Sequence, residues 1–594
     1  MVIPAALLLL AAVAAAGDPV DATASRDLLA ARAVFEKNLE AIRNKDREAY
    51  LSCYVKSPTL ARTGYEGVEL GFESLAAETA RGGWPDSFEA QDLRLVHVRP
   101  GLVYGTYRVR AFVGAKENQG ISERLFVETP EGWKIAVTTG FVAPPGTPPP
   151  PRALAGATLV DGRGGPVVPD AVVVLRGGQV DCAGTRAQCP VPTGVPVLDV
   201  TGLWLSPGLV DAHVHFSQTG WADGRPDSLD LRERFPYEEV LDGLRNHPER
   251  YFRSYLCSGV TAVFDVGGYP WTWGLRARAE ADTLAPHVSA AGPLLSTRDH
   301  WLNLPGERQF IFLSDEKAAR EGARYLVAQR TNAVKVWFIG GARPFEDMSP
   351  LVRAAGEEAA GAGVPLIVHA TELRLAKEAL RAGAKLLVHS VWDEAIDDEF
   401  VALARKSKAI YNPTLTVPGG YTRLFDAVLA GESPVVDDPN GCVDAETRAR
   451  IAKTPELGKG LVDRKAHEAK AADRAQREQV GRENLRRVRD AGLPIALGTD
   501  AGNPLTLHGP SVYAEMEAMQ AAGLSAMEVV VAATREAARA MGRGADLGTI
   551  EKGKAADLLV LAADPTKDVS AFRRLRYVVR GGVVRPLEEL RARP

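Results

Sequence analysis

The chain has 594 residues, too many for one domain on size grounds, so two or three folded units are expected. Hydrophobic residues make up 46% and charged residues 25%, which excludes wholesale disorder and allows large cores. The formal net charge is −4 and no long basic run occurs, so nothing in the charge points to nucleic acid as a partner.

The first feature is an apolar run from Val2 to Ala16, broken by Pro4 and followed by Gly17. Ending in three alanines, it reads as a secretory signal over residues 1–17, although no Lys or Arg precedes it. It is short for a membrane span and no later stretch reaches spanning length. The expectation is an exported protein, periplasmic or secreted, with no membrane span once the signal is removed. Five cysteines do not make a disulfide framework. Cys182 and Cys189 lie in one loop and can pair after export or remain two free thiols.

Residues 24–142 form a first unit. Ala24–Arg47 has helical periodicity, with Leu28, Leu29, Ala33, Phe35, Leu39 and Ile42 in one apolar stripe. Strand patterns follow at Leu93–Val98, Leu102–Val113, Ile121–Glu128 and Trp133–Thr138, separated by Pro/Gly turns. A long helix followed by a curved antiparallel sheet, ending in GWKIAVTTGF, resembles the α+β NTF2-like (SnoaL-like) cone fold. That resemblance implies either a pocket or a dimer surface, the second of which would make the protein a homo-oligomer, and no acid–base set is evident in this unit. His97, alone in a strand, is expected to be structural.

The proline-rich stretch 143–152 cannot join a sheet ladder and marks a domain boundary. Short strand patterns then occur at 153–206 and again at 545–594, read as one small β-sandwich built from both flanks of a central domain. Between them, residues 207–544 alternate apolar strands with Ala-rich helices, the pattern of an α/β protein with a (β/α)8 TIM barrel. A charged, helical insertion occupies 421–479 and carries no assigned function.

The chemistry lies at the strand ends. In PGLVDAHVH, a strand over Leu203–Val210 leads into His213 and His215, which share a side and converge. VPLIVHA ends at His369, AKLLVHS at His389 and LPIALGTDAG at Asp500. Strand ends of a barrel gather on one face. Each histidine alone fits a core; four of them with an aspartate, all at such places, fit a metal site better. Lys335, in the otherwise apolar AVKVWF, shares a face with Trp337. Burial lowers a lysine pKa, and the neutral amine can take up carbon dioxide to give a carbamate that bridges two metals. A strand lysine paired with a carboxylate is the competing reading.

The order His-x-His, Lys, His, His, Asp resembles the amidohydrolase superfamily with a binuclear centre. The flanking segments LVDGRGG…VLDVTGLWLSPGLVDAHVH and LGTIEKGKAADLLVLAADP resemble its imidazolonepropionase-like branch, which includes Xaa-Pro dipeptidases. The resemblance covers roughly residues 153–585. It implies two divalent metal ions, zinc by default. His213 and His215 bind the buried one beside Asp500, His369 and His389 bind the second, and carboxylated Lys335 bridges both. It further implies hydrolysis of an amide bond by a hydroxide held between the metals, with Asp500 shuttling the proton. Imidazolonepropionase itself uses a single metal, so the lysine favours the peptidase-like subgroup.

Weaker candidates for substrate contact are His508, Tyr411 and His300, with Asn412 beside Tyr411. His467 is expected to be solvated, and His247 and His287 structural. The expected substrate is small, a dipeptide or N-acyl amino acid. A cyclic amidase or lactonase with the same site remains open, as does a non-catalytic ligand-binding protein.

Overall fold

The computed structural model describes residues 19–592 except 65–66, 81–83, 114–115, 143–148, 301–302, 305–306 and 342. The expected signal segment and most of the proline-rich stretch lie outside the described residues. The chain divides into two compact units between residues 147 and 148.

In the first unit, helix Pro19–Arg43 buries Ala31, Phe35, Leu39 and Ile42, one face at helical spacing. The expected stripe was too broad: Leu29 is 69% exposed and Ala33 points to solvent. The helix packs on a six-stranded sheet, running in order Gly67–Leu70, Ala61–Gly64, Gly132–Val142, Lys116–Thr129, Leu102–Val113 and Ser87–Arg99. The sheet is not wholly antiparallel, because Ala61–Gly64 runs parallel to Gly132–Val142. The two short strands, Ala61–Gly64 and Gly67–Leu70, and the helices Arg47–Ser52 and Phe72–Ala80 carry little alternation, which is why sequence patterning passes over them. His97 lies 3.2 Å from the buried carboxylate of Asp27, a structural contact.

In the second unit, strands from both flanks hydrogen-bond into one sheet rather than two facing leaves. Trp204–Pro207 joins Arg152–Leu159 on one side and Leu558–Leu561 on the other. The sheet curls until Gln179, in its edge strand, bridges back to Ala555, so the expected sandwich is one curled sheet around a shared core.

Gly208 separates this sheet from the barrel. A Cβ there would collide with the Thr261 side chain, so the strand expected over Leu203–Val210 is two strands, and the barrel starts at Leu209–Val214. Parallel neighbours follow at Val260–Asp265, His287–Ala290 with Leu294–Ser296, Val334–Trp337, Leu366–His369, Leu386–Val388 and Ile410–Asn412. The third strand breaks at Gly292, whose φ of +69° and contact with the Trp273 ring admit no side chain. An added strand, Phe310–Phe312, pairs beside Leu294–Ser296. Residues 495–501 close the ring: Ile495 bridges Tyr411, Ala501 bridges Val214, and Ala212 N donates to Leu497 O at 3.1 Å. The barrel therefore has eight parallel members.

The charged insertion forms a roof over the carboxyl end of the first strand. Helices Val417–Ala430 and Ala445–Ala452 pack Leu424, Val428 and Ile451 on Trp221, Leu229 and Leu507. The Trp221 indole donates to Thr454 Oγ1 at 3.0 Å, and Arg450 pairs with buried Asp223. Two disulfides are present. Cys182–Cys189 is one of the two outcomes left open above, and Cys257–Cys442 ties the roof to helix Glu249–Cys257. Cys53 is buried and free. Among the described residues no helix is long and apolar enough to cross a membrane.

Candidate metal centre

Five polar side chains converge at the barrel's carboxyl end. His213 Nε2 and His215 Nε2 lie 3.2 and 2.9 Å from Asp500 Oδ1, and His389 Nε2 lies 4.0 Å from Asp500 Oδ2. The His369 ring is 4.3 Å from that of His389, centre to centre. His213, His215 and Asp500 alone bring three ligand atoms within 4.8 Å of one another. Lys335 is 1% exposed, lines the same cavity, and makes no hydrogen bond or ion pair among the described residues.

The surrounding backbone builds this cluster. Asp500 and His389 adopt φ of +59° and +73°. For non-glycine residues that conformation costs about 1–3 kcal/mol each and persists where the surroundings over-determine it. Gly498 packs against His213, where a Cβ would approach that residue's own Cβ at 2.7 Å. Asp211, buried behind the pair, accepts from Thr499 N at 2.9 Å and from the Thr499 hydroxyl at 2.5 Å, joining the first strand to the closing segment. Asp265 accepts from Phe216 N and Gly267 N, both at 3.0 Å, and so holds the turn after His215.

The donor set fits a divalent cation. His215 Nδ1 lies 2.6 Å from Gly267 O and His389 Nδ1 lies 2.7 Å from Thr414 Oγ1. Those contacts commit the Nδ1 positions and leave each Nε2 lone pair facing inward. Burial, then the charge of Lys335, holds His213 and His369 well below the ordinary histidine pKa; burial and His369 do the same for His389. Neutral imidazole is the ligand form. Burial raises the Asp500 carboxyl, but His215, His389 and Lys335 outweigh it and hold the group below its usual range. Asp500 Oδ1 is a buried acceptor with no hydrogen-bond donor. An anionic oxygen in that state beside two imidazole lone pairs is the arrangement a cation resolves. Burial pushes the Lys335 ammonium down to about 7, against the pull of Asp500 and Asp265.

The cluster floors a cavity of about 200 Å³. Phe310, Trp337, Trp392 and Tyr237 give it aromatic walls, and Arg225, Asp227, Gln309, Tyr421 and Asn503 give it polar ones. Arg225 forks onto Asp227 at 2.8 and 2.7 Å and also donates to Asn503 Oδ1. Tyr421 OH donates to the same oxygen at 2.7 Å, and Asn503 Nδ2 donates to Asp500 O at 3.0 Å.

The three weaker candidates do not line this cavity. The Tyr411 hydroxyl is taken by Val391 N at 2.9 Å, and Asn412 Nδ2 by Ala496 O at 3.0 Å. His508 is buried between Tyr255 OH at 2.8 Å and Gln218 O at 3.0 Å, and stacks on Phe216. His300 stacks on Phe310, one layer behind the wall, with Nε2 3.7 Å from Asp227. His467 was expected in solvent, yet its side chain is 8% exposed, 2.8 Å from Asp426 and against Phe425. His287 is structural, between Glu280 at 2.6 Å and Asp557 at 3.2 Å, and His247 is exposed beside Glu249. Sequence patterning missed Arg225 and Tyr421, since neither ends a strand. The usable signal for Arg225 was its place in the loop directly after His-x-His.

The amidohydrolase family profile matches residues 204–584, well over half of the chain. An imidazolonepropionase of Caulobacter vibrioides is 27% identical over 409 residues, covering 68% of this chain and 90% of its own. A 5-methylthioadenosine/S-adenosylhomocysteine deaminase of Symbiobacterium thermophilum is 24% identical over 426 residues, covering 68% and 85%. A solved Xaa-Pro dipeptidase with methionine in its active site superposes with a TM-score of 0.55 at 21% identity, over 73% of this chain and all of its own, which speaks for the fold. With a closed parallel barrel and an imidazole–carboxylate cluster at its carboxyl end, the chain belongs to the amidohydrolase family.

Proposed function

We propose that the protein hydrolyses the amide bond of a small substrate that ends in a carboxylate, a dipeptide or an N-acyl amino acid. Family membership makes it a hydrolase of carbon–nitrogen bonds. The observation that carries the finer reading is the convergence of three imidazole nitrogens on the Asp500 carboxylate beside the unpartnered, buried Lys335. In this reading His213, His215 and Asp500 would hold one divalent cation and His369 and His389 a second, with Lys335, once carboxylated, as a further anionic ligand. Zinc suits these ligands. When bound, such ions supply a water acidic enough to attack near neutral pH and a Lewis acid for the carbonyl oxygen.

The chain's own groups do the rest. Asp500 takes the proton from the attacking water and returns it to the leaving nitrogen, acting as base and then acid. Its strained backbone and the bond from Asn503 Nδ2 to its carbonyl keep it aimed. Arg225 engages three of its five N–H donors with Asp227 and Asn503, and the remaining two suit a carboxylate. The aromatic walls shed water around the scissile bond.

The test is a panel of dipeptides, their C-terminal amides, N-acyl amino acids and lactones, run with and without a chelator. Chelator-sensitive cleavage of the free acids, weaker on the amides, is expected. In Arg225→Met that preference for the acid should vanish. Asp500→Asn should lower kcat by roughly a thousandfold. Lactone cleavage without amide cleavage moves the assignment to a lactonase, and no turnover of anything moves it to a binding protein.

Two further assignments belong to this reading. Export is supported by the pair of disulfides, which form in oxidising compartments. An NTF2-like identity for the first unit is supported by its long helix packed on a strongly paired sheet.

A further inference from the structure

A second cavity of about 560 Å³ lies beyond Trp392, which among the described residues is the one that lines both it and the catalytic cavity. The volume falls within the range of small-molecule sites, about 300–1,000 Å³. One side is apolar: Trp392, Pro413, Leu415 and Pro418, with Ala518 and Ala521 one helical turn apart leaving the space open. The other side is helix Ala471–Asp490 with Lys470 before it. Of the charges there, Arg477 pairs with Asp473 at 2.9 Å and Arg482 with Glu478 at 3.6 Å. Among the described residues, Lys470 and Arg474 make no ion pair with an acidic side chain. Arg474 is fixed in place by donating from NH1 to His467 O at 2.9 Å.

The wall next to the catalytic site is held by a run of hydrogen bonds that begins at the metal-site residue His389. Ser390 follows the metal-site residue His389, and its N and Oγ both donate to Pro413 O at 3.0 Å. Thr414 bonds His389 Nδ1 and sits at φ +45°. The next two residues hang on one buried carboxylate, Glu515, which accepts from Leu415 N at 2.7 Å and from Thr416 N at 2.9 Å.

We propose that this second cavity is a binding site for an amphipathic carboxylate, its apolar body against Trp392, Leu415 and the alanine face and its carboxylate between Lys470 and Arg474. An occupant presses on the Pro413–Leu415 segment and so alters the hold of Thr414 on His389. Occupancy therefore modulates turnover without occupying the catalytic cavity.

The experiment uses the full-length, metal-loaded protein with decanoate as the probe and 1-decanol as its uncharged counterpart, followed by calorimetry below the micellar range. Saturable one-to-one binding of decanoate, roughly tenfold tighter than decanol, is expected from a charge-assisted contact. The charge reversal Lys470→Glu with Arg474→Glu should erase that preference, and Ala518→Trp should fill the cavity and abolish binding. Both variants should keep their melting temperature and metal content, and the charge-reversed variant its basal turnover. Decanoate should change kcat in the parent and leave it unchanged in Ala518→Trp. No saturable binding, binding indifferent to both variants, or inhibition purely competitive with substrate would overturn the proposal. The calorimetric arm does not depend on knowing the substrate, so its failure is separate from failure of the proposed activity.

Discussion

Glu515 makes one titration visible outside the ligand set. Burial pushes its carboxyl up to about 7, aided by the charge of Asp211 and opposed by the amides of Leu415 and Thr416. An acid with a folded pKa above its unfolded value binds protons on folding between the two. The stability it contributes is full below about 4.5 and is lost as pH rises through 7. Glu515→Gln should therefore flatten the fall in melting temperature between pH 5 and pH 8 by on the order of a few degrees. Thermal melts across that range check this, and a slope equal to the parent's would show that Glu515 is not titrating there. At this same scale the strand-end cluster could be read from the sequence and the loop residues that line the cavity above it could not. His213, His215, His369, His389 and Asp500 stand at strand ends, which chain geometry alone brings to one face. Arg225, Tyr421 and Asn503 meet only because separate loops fold over that face, and no period in the sequence encodes it. Tyr411 is the converse case: it ends a strand, but its hydroxyl accepts from Val391 N and it does not line the cavity.

Elements were read best where one face is buried and the pattern is strict. Leu102–Val113 was delimited correctly, whereas the run before Gly208 was merged across a sheet-to-barrel junction, because both strands are apolar and only a close approach by Thr261 divides them. The insertion is the element whose role the sequence concealed. Its charge marks a solvated outer face, and its few apolar residues are spent on the loop that carries Arg225. Cys257–Cys442 closes a separation of 185 residues across that contact. Removing a staple of this kind costs about 2–5 kcal/mol. Cys257→Ser combined with Cys442→Ser should lower the melting temperature and, because Tyr421 belongs to the same roof, raise KM more than it lowers kcat. Calorimetric melting and steady-state kinetics separate the two effects. An unchanged KM would mean that packing, the Trp221–Thr454 bond and ion pairs such as Arg450–Asp223 hold the roof without the disulfide.

The imidazole–carboxylate cluster and the cavity above it lie wholly in the second of the two units. Each unit has a separate hydrophobic core: Phe35, Tyr54, Phe126 and Ile135 in the first, and the barrel and curled-sheet clusters in the second. Every residue lining the catalytic cavity falls between His213 and Asn503, and both disulfides close within residues 182–442. A domain with its own core, sheet edges and covalent ties has what it needs to fold alone. Residues 148–594, expressed under oxidising conditions, should therefore melt cooperatively and keep kcat/KM within about threefold of the full chain. The first unit has no such guarantee of function, since its buried polar groups, Asn38 and Arg124 among them, belong to its own core and none of the residues lining the cavity over the cluster comes from it. If the shortened chain folds, shown by a sharp melt and full metal loading, yet loses activity by more than about tenfold, the first unit must contribute to the reaction. If it fails to fold, the two cores are not independent and the division at residue 147 is one of shape alone.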